Sequence, residues 1–444
     1  MSSIASPKPG VSAIIHDAQD RTVPTALFLL YCYFLVDYFL HLSARIPVYP
    51  MFRPTLLLVA LITLALFTQA DKFKRIVKDP RLVAIWFLIG YIILSLPLVE
   101  WPGSVLRANF AEFVKAIVFL FFTAFIVDTD RRLRLIVGLW VTLQVVRVLE
   151  PLYLNLTEGY WGSGTFIGAG QFAQRLAGAP SDVINSNELG FVIVTAIPFL
   201  HFLMWGSSRW QAKLLYLALV PALLYALILT SSRGAMIALA VVALMILKES
   251  RHKAGLIIFG ILVAITAWSQ MSDFQKERYT SLFDESSQQH ATVDGRWTGM
   301  INEFNLGMEK PIFGHGLGTT PEAKFNIAGG RAQASHNLYA ELLIEIGIIG
   351  FILFMRYLWL VYDQMRQNLR RMKARAHLAG VRTSYEFRLN QALITTFWMY
   401  AVYSINYWGL SQTYWYFLGG LCVAFARSLK RNETKLPEPE PEAP

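Results

Sequence analysis

Long apolar segments separated by shorter polar ones recur along most of the chain. Each apolar segment approaches or exceeds the length that a helix needs to cross roughly 30 Å of hydrocarbon. Twelve such segments are predicted membrane helices: 26–43, 54–70, 82–98, 113–127, 133–154, 189–205, 214–230, 234–247, 255–271, 337–355, 390–407 and 412–426. The pattern therefore predicts an all-α integral membrane protein of about twelve transmembrane helices.

The polar segments between these helices alternate in their positive charge. An even number of crossings places both termini on one side, and loops rich in Lys and Arg face the cytoplasm. Such residues cluster near 72–81, 131–134, 209–213, 248–253 and 366–388. The longer and less basic insertions at 157–188 and 272–335 are therefore expected to face the periplasm, the second as a large loop between helices 9 and 10.

This topology divides the chain into three parts. Residues 1–24 are predicted to form a polar cytoplasmic tail without a cleavable signal pattern, and residues 25–427 the membrane domain. Residues 428–444 end in a Pro/Glu-rich segment of low complexity and are expected to be a disordered cytoplasmic tail. The predicted location is a bacterial inner membrane, which the chain crosses several times.

Composition agrees with the membrane class and excludes others. Hydrophobic residues make up 55% of the 444 residues and charged residues 16%, and the mean hydropathy is +0.43. The net charge of +10 does not indicate nucleic-acid binding, because cytoplasmic loops that face anionic lipid account for it. Cys32 and Cys422 both fall within predicted spans, so neither a disulfide framework nor a thiolate metal site is expected.

Arg233 stands in the tight turn LTSSRGAMIAL between the seventh and eighth predicted spans, on the outer side. It could be an arginine that caps a helix while its side chain reaches the lipid surface. A turn with few other cations nearby, where backbone N–H groups and a guanidinium converge, suits a bound anion better. Arg233 is therefore a candidate phosphate ligand.

An amphipathic segment near Arg296 precedes the glycine-rich stretch that ends the large outer loop. It could be a lid helix on the membrane surface, with Arg296 as a solvated charge. His315 lies between two glycines in that stretch and is better interpreted as a turn residue than as a base.

His336 lies where the polar loop ends and a long apolar helix is predicted to begin, with Ser335 as the N-cap. The positive end of the helix dipole would keep the ring neutral and able to accept a proton. The alternative is a histidine at the membrane–water interface that takes the place of the aromatic residues common there. Glu341 and Glu345 project from roughly the opposite side of this helix, so they are expected to partner buried polar groups.

These motifs together resemble the O-antigen ligase and O-antigen polymerase superfamily. The resemblance rests on SSRG before a span, GRW leading to KPIFGHGLG, and HNLY followed by EIGIIG, and it covers residues 189–354. It implies a GT-C-like membrane glycosyltransferase without a metal or nucleotide-sugar cofactor. Such an enzyme moves a glycan from undecaprenyl pyrophosphate to an acceptor hydroxyl on the periplasmic face.

The resemblance also implies roles for individual residues. Arg233 and Arg296, with Arg175 as a third candidate, would hold the pyrophosphate, and His336 would be the catalytic base. Asn185, Asn187 and Asn337 are candidates for sugar binding, although helix capping is the simpler role for Asn185 and Asn187.

Two functional classes stay open at this point. The favoured one is an O-antigen ligase whose acceptor is lipid A–core, with an O-antigen or exopolysaccharide polymerase as the alternative. The other class is a polysaccharide transporter or flippase, for which charges should line the middle of several spans. Asp37 and Arg147 are the main charges at such depth, so the sequence favours the enzyme.

Overall fold

A computed structural model describes residues 22–74, 76–168, 171–250, 252–280, 290–374, 384–407 and 409–433. The first part of the described chain contains helices α1 (Thr25–Phe39), α2 (Leu42–Arg45), α3 (Pro54–Phe67), α4 (Ala70–Phe73), α5 (Pro80–Ser95), α6 (Pro102–Ser104), α7 (Phe110–Ile126) and α8 (Asp130–Glu158). A hairpin of strands β1 (Gly162–Gly168) and β2 (Gln171–Leu176) follows.

The remaining part is again helical. It contains α9 (Ser186–Phe199), α10 (Trp210–Thr230), α11 (Arg233–Glu249), α12 (Lys253–Gln270), α13 (Asp273–Thr280), α14 (His290–Gly307), α15 (Thr320–Asn326), α16 (Leu338–Ala374), α17 (Tyr385–Tyr403) and α18 (Thr413–Glu433). Each of the twelve predicted spans coincides with one of these helices, which confirms the all-α membrane class.

Seven helical stretches of the described chain are long and apolar enough to cross a membrane. They are Tyr49–Phe67, Pro80–Leu98, Pro102–Ile126, Asp130–Glu158, Ser186–Trp205, Trp210–Thr230 and Leu338–Ala374. Large apolar side chains remain exposed on the outer helices, such as Phe87 at 62% and Leu64 at 63%. Because lipid covers such side chains in a membrane, this exposure is expected for the perimeter of a helix bundle.

The last helix, α18, lies inside the bundle and packs closely against α7. Its Gly420 permits this approach, since a Cβ atom there would lie 2.6 Å from Cβ of Thr123. The helix continues to Glu433, past residue 428, where the C-terminal tail was predicted to start. The last turn of this helix carries Lys430 and Arg431, and residues 434–444 lie outside the described ranges.

Helix α16 is broken at Gly347, whose φ of 61° and ψ of −172° are not helical. A side chain at this position would collide with the carbonyl oxygen of Ile312. At the break, carbonyl groups of the helix face the loop that precedes it. The backbone N–H of His315 donates to the carbonyl oxygen of Ile344 at 2.7 Å, and that of Gly316 donates to the backbone carbonyl oxygen of Glu345 at 3.0 Å. The glycine-rich loop is therefore docked on the broken helix.

The insertion at 157–188, for which the sequence predicted no secondary structure, contains a β-hairpin. Strands β1 and β2 pair antiparallel within it, with Gly162 opposite Leu176 and Thr165 opposite Ala173. The two strands are short and contain several small residues, so their alternation of polar and apolar positions is too weak to predict a hairpin.

Candidate active site

A cavity of about 660 Å³ opens between the start of α11, helix α14, the segment before α16 and the turn after α17. It brings together three residues that the sequence singled out: Arg233, His336 and Asn337. Residues from 295 to 337 supply most of its remaining wall, including Glu303, Lys324 and Arg331. We call this space the active-site cavity.

Arg233 begins helix α11, directly after a turn in which Ser231 has a positive φ of 49°. Two distant arginines hold this turn. Nε of Arg175 donates to the carbonyl oxygen of Thr230 at 2.8 Å, and Nε of Arg278 donates to that of Ser231 at 2.7 Å. The backbone that carries Arg233 into the cavity is therefore fixed from both sides. Arg278 of α13 was missed because a single basic residue in a polar insertion carries no local motif.

His336 lies just before helix α16, which corrects the predicted cap. The helix begins at Leu338, and the side-chain oxygen of Asn337 accepts the backbone N–H of Tyr339 at 2.8 Å. Asn337 is thus the N-cap, and His336 precedes the first helical turn that it was predicted to occupy. An asparagine oxygen reaches these N–H groups directly, so the helix starts two residues later than the serine signal indicated. The exposed ring of His336 lines the cavity.

Glu303 ties the segment that contains His336 to helix α14. Its buried carboxylate accepts the hydroxyl hydrogen of Ser335 at 2.6 Å and approaches the backbone nitrogen of His336 at 3.4 Å. It also forms an ion pair with Lys324 of α15. Three elements are therefore joined at one carboxylate directly beside the candidate base.

Neither Glu303 nor Lys324 was among the site residues predicted from the sequence. One signal was available: Gly295, Gly299, Asn302 and Leu306 recur at helical spacing, and all of them line the cavity. Glu303 is next to this stripe, so the polar face of the amphipathic segment was the one to inspect.

Arg175, Asn185 and Asn187 do not line the active-site cavity. Besides its bond to the turn, Arg175 donates from an Nη atom to the side-chain oxygen of Asn187 at 2.9 Å. Asn185 caps helix α9 in a capping box with Glu188. Arg175 and Asn187 thus lie in the packing behind the Arg233 turn, whereas Asn185 has the helix-capping role that the sequence favoured.

Arg296 belongs to helix α14, but its side chain lies outside the part of the chain that the structure describes. Its assignment as a pyrophosphate ligand stays a prediction. Gly295 beside it lines the active-site cavity, so the backbone at this position borders the site.

His315 is a scaffold residue. Its ring is 1% exposed, Nδ1 lies 3.0 Å from Oε2 of Glu100, and Nε2 lies 3.2 Å from the carbonyl oxygen of Leu306. The hydrogen bond with His315 lowers the pKa of Glu100, as expected when a donor favours the ionised carboxylate. Both ring nitrogens face protein groups, so the interpretation as a turn residue agrees with the structure.

Glu341 and Glu345 have the structural roles expected of them. One oxygen of Glu341 accepts the backbone N–H of Gly409 at 2.8 Å. Glu345 accepts the backbone N–H of Gly318 at 2.8 Å and the hydroxyl of Thr320 at 2.8 Å. These carboxylates satisfy loop N–H groups inside the protein, which would otherwise be costly to bury.

A second polar region, which we call the closed cluster, joins α8, the segment before α9, and α18. The guanidinium of Arg147 donates two hydrogen bonds to the carboxylate of Asp182, at 2.6 and 3.0 Å, and a third to the hydroxyl oxygen of Tyr414 at 3.1 Å. Nδ1 of His41 lies 3.2 Å from the same carboxylate. Burial alone would raise the pKa of Asp182, but its bonds with His41 and Arg147 lower it.

Comparison with known proteins shows which family this part of the chain resembles. Residues 217–355 match the sequence profile of the family described as O-Antigen ligase. The matched stretch runs from α10 into α16 and contains Arg233, Glu303, Lys324 and His336. The part of the chain that builds most of the active-site cavity is therefore the part that resembles this family.

Two curated relatives are similar over most of the chain. The teichuronic acid biosynthesis protein TuaE of Bacillus subtilis (strain 168) is 22% identical over 383 residues, which cover 80% of this chain and 72% of that protein. The O-antigen polymerase of Salmonella muenchen is 25% identical over 327 residues, covering 70% and 73% respectively. These matches confirm the resemblance to the O-antigen ligase and polymerase superfamily.

Proposed function

We propose that this chain, a multi-pass membrane protein similar to the O-antigen ligase and polymerase superfamily, is an inverting glycosyltransferase. Its donor would be a glycan on undecaprenyl pyrophosphate, and its acceptor a sugar hydroxyl at the periplasmic face of the inner membrane. The observation that carries the proposal is the placement of Arg233 and His336 in the wall of one cavity of about 660 Å³.

The donor's pyrophosphate requires fixed positive charge as its bond to the sugar breaks. Arg233 supplies a guanidinium on a turn held by two other arginines, and Lys324 and Arg331 add cations to the same wall. One guanidinium can donate two parallel hydrogen bonds to phosphate oxygens. Cations that the protein already holds in place stabilise the negative charge that develops in the transition state without any rearrangement of the site. Arg296 of α14 is proposed as a further ligand.

The acceptor hydroxyl requires a base, and we assign this role to His336. Its imidazole takes the hydroxyl proton as the acceptor oxygen bonds to the anomeric carbon and the carbon–oxygen bond to pyrophosphate breaks. Attack from the side opposite the leaving group inverts the anomeric centre. Glu303 holds the backbone beside the ring through Ser335 and the N–H of His336, so it acts as a positioning residue.

The acceptor divides the proposal into two candidates. The family description, O-Antigen ligase, favours ligation, and we place first a ligase whose acceptor is lipid A–core. The Salmonella muenchen relative is named an O-antigen polymerase, and this favours a second lipid-linked glycan as acceptor. Both use the same donor chemistry, so only the acceptor distinguishes them.

Purified full-length protein in nanodiscs tests the proposal, with an undecaprenyl-pyrophosphate-linked oligosaccharide as donor. Lipid A–core is offered in one reaction, and additional lipid-linked oligosaccharide in another. A glycan joined to lipid A–core supports the ligase, and a lengthened lipid-linked chain supports the polymerase. Movement of the donor across the bilayer with no new glycosidic bond would instead identify a transporter.

The periplasmic location of the cavity is tested by labelling. In a Cys32→Ser/Cys422→Ser background, a cysteine at Gln333 should react with a membrane-impermeant maleimide in intact spheroplasts. A cysteine at Arg370, near the end of α16, should react only after lysis. The reverse pattern would contradict the proposed topology and the side on which transfer takes place.

A further inference from the structure

A second cavity, of about 250 Å³, lies between α5 and α16, far along these helices from the active-site cavity. Two cationic side chains, Lys78 and Arg356, belong to its wall. The rest of the wall is apolar: Pro80, Val83, Ala84, Phe87, Leu353 and Leu360. A groove with two cations beside a strip of hydrocarbon matches a ligand that has an anionic end and an apolar body.

The two cations are not neutralised within the part of the chain that the structure describes. Among the described residues, no acidic side chain forms an ion pair with Lys78 or Arg356. The neighbouring carboxylate of Asp79 is bound instead by Arg81, whose Nε donates to it at 2.6 Å. Both Lys78 and Arg356 are exposed, so their charges are available to a ligand in the groove.

The depth of the second cavity suits a lipid headgroup. Arg356 lies 18 residues beyond Leu338, and the two helical parts on either side of the break at Gly347 together account for about 27 Å of helix, close to the hydrocarbon thickness of a bilayer. Helix α5 runs in the opposite direction: it begins beside Lys78, and the loop after it contacts His315, where the N–H of Glu100 donates at 3.0 Å. The second cavity therefore faces the membrane surface opposite the active-site cavity.

We propose that the second cavity binds an anionic phospholipid. Its phosphate would lie between Lys78 and Arg356, and one acyl chain would lie along Val83, Ala84 and Phe87. Basic pockets between membrane helices attract anionic headgroups, and the 62% exposure of Phe87 leaves that side of the groove open to the bilayer. This site is separate from the proposed transfer reaction and does not depend on it.

The test is lipid binding to the full-length protein in detergent, followed by native mass spectrometry. Phosphatidylglycerol is titrated against phosphatidylcholine, and inorganic phosphate is added as a competitor. The variant Lys78→Gln/Arg356→Gln should bind phosphatidylglycerol at least about tenfold more weakly than the parent. Ala84→Met, which fills the groove without altering charge, should weaken the same binding.

A matched control removes two positive charges from α16 outside the second cavity. Arg366→Gln/Arg370→Gln should bind phosphatidylglycerol like the parent, because neither residue lines the second cavity. Equal losses in the two double variants would show diffuse attraction and overturn the site. Phosphatidylcholine binding as tight as that of phosphatidylglycerol, or full displacement by millimolar phosphate, would overturn the lipid assignment.

Discussion

Arg233 and Arg147 are buried to the same degree, each 4% exposed, yet their surroundings differ. Arg147 belongs to the closed cluster, where Asp182 and Tyr414 accept its hydrogen bonds. Arg233 lies in the wall of the active-site cavity, on a turn that other arginines hold. A buried arginine is thus no guide to ligand binding by itself. What its guanidinium faces decides whether it serves stability or a substrate.

The same contrast applies to the carboxylates. Asp182 faces a guanidinium from a membrane helix, whereas Glu303 faces a lysine, a serine and the backbone next to His336. Both are nearly fully buried, but only Glu303 borders the active-site cavity. We therefore expect changes in the closed cluster to affect unfolding, and changes in the cavity to affect transfer.

The largest effect is expected at His336. His336→Ala should lower the rate of transfer on the order of 10²–10⁴-fold, because the acceptor hydroxyl loses its base. His336→Tyr should lose as much, since a phenol fills the position but is a poor base at neutral pH. The measurement is the single-turnover rate in nanodiscs, with donor binding determined separately and expected to persist.

His252 is the control for this series, being an exposed histidine outside the active-site cavity. His252→Ala should transfer like the parent. Near-parental transfer by His336→Tyr would show that the ring is only an interfacial anchor. Glu303 would then be the residue to test as the base.

The closed cluster should give the next largest effect, on stability. Arg147→Ala leaves the carboxylate of Asp182 buried without its guanidinium, which should cost about 3–5 kcal/mol. Thermal unfolding in detergent measures this loss. Replacing both partners, as in Arg147→Met/Asp182→Asn, should cost less because no buried charge remains.

The pKa of Asp182 gives this cluster a pH dependence. Because the folded pKa is lowered, the stabilisation is present above the unfolded value of about 3.9 and is lost as pH falls through the folded value. Arg147→Ala should remove that acid sensitivity. Folded Arg147→Ala protein that transfers no glycan would contradict the division between the two regions.

Arg233→Ala is expected to reduce transfer on the order of 10²–10³-fold, as the leaving pyrophosphate loses one fixed cation. Arg233→Lys should restore only part of the rate, since an ammonium lacks the two-pronged geometry. Arg209→Ala, at an exposed position before α10, is the matched control and should leave the transfer rate unchanged. Full activity with Arg233→Ala would exclude this residue from the site.

The smallest effect is expected at Arg175, which links the hairpin to the Arg233 turn. Arg175→Ala should destabilise the protein by about 1.5–3 kcal/mol, because the bonds to Thr230 and Asn187 are lost. Transfer should fall only a few-fold at temperatures where the protein is folded. A loss as large as that of Arg233→Ala, with unchanged unfolding temperature, would instead support direct contact with pyrophosphate.

The sequence alone was sufficient for the class and for the placement of the helices. In the hydrocarbon of a bilayer, backbone N–H and C=O groups can all be hydrogen-bonded only in helices or closed barrels. The positions of the spans therefore follow from local composition. The order of the motifs around Arg233 and His336 also indicated the family, because each motif is a short continuous stretch. The sequence was therefore sufficient for every feature that a single continuous segment determines, such as a membrane helix or a short motif.

Tertiary structure decided what depends on segments far apart in the chain. Arg175 and Arg233 have the same chemistry in sequence, but only the packing shows that Arg175 donates to the turn before Arg233. The helix cap is Asn337 and not Ser335, because the hydroxyl of Ser335 donates to the carboxylate of Glu303, which lies 32 residues earlier in the chain. Hydrogen bonds between distant segments form only when the backbone brings donor and acceptor within about 3 Å, and that proximity is a property of the fold.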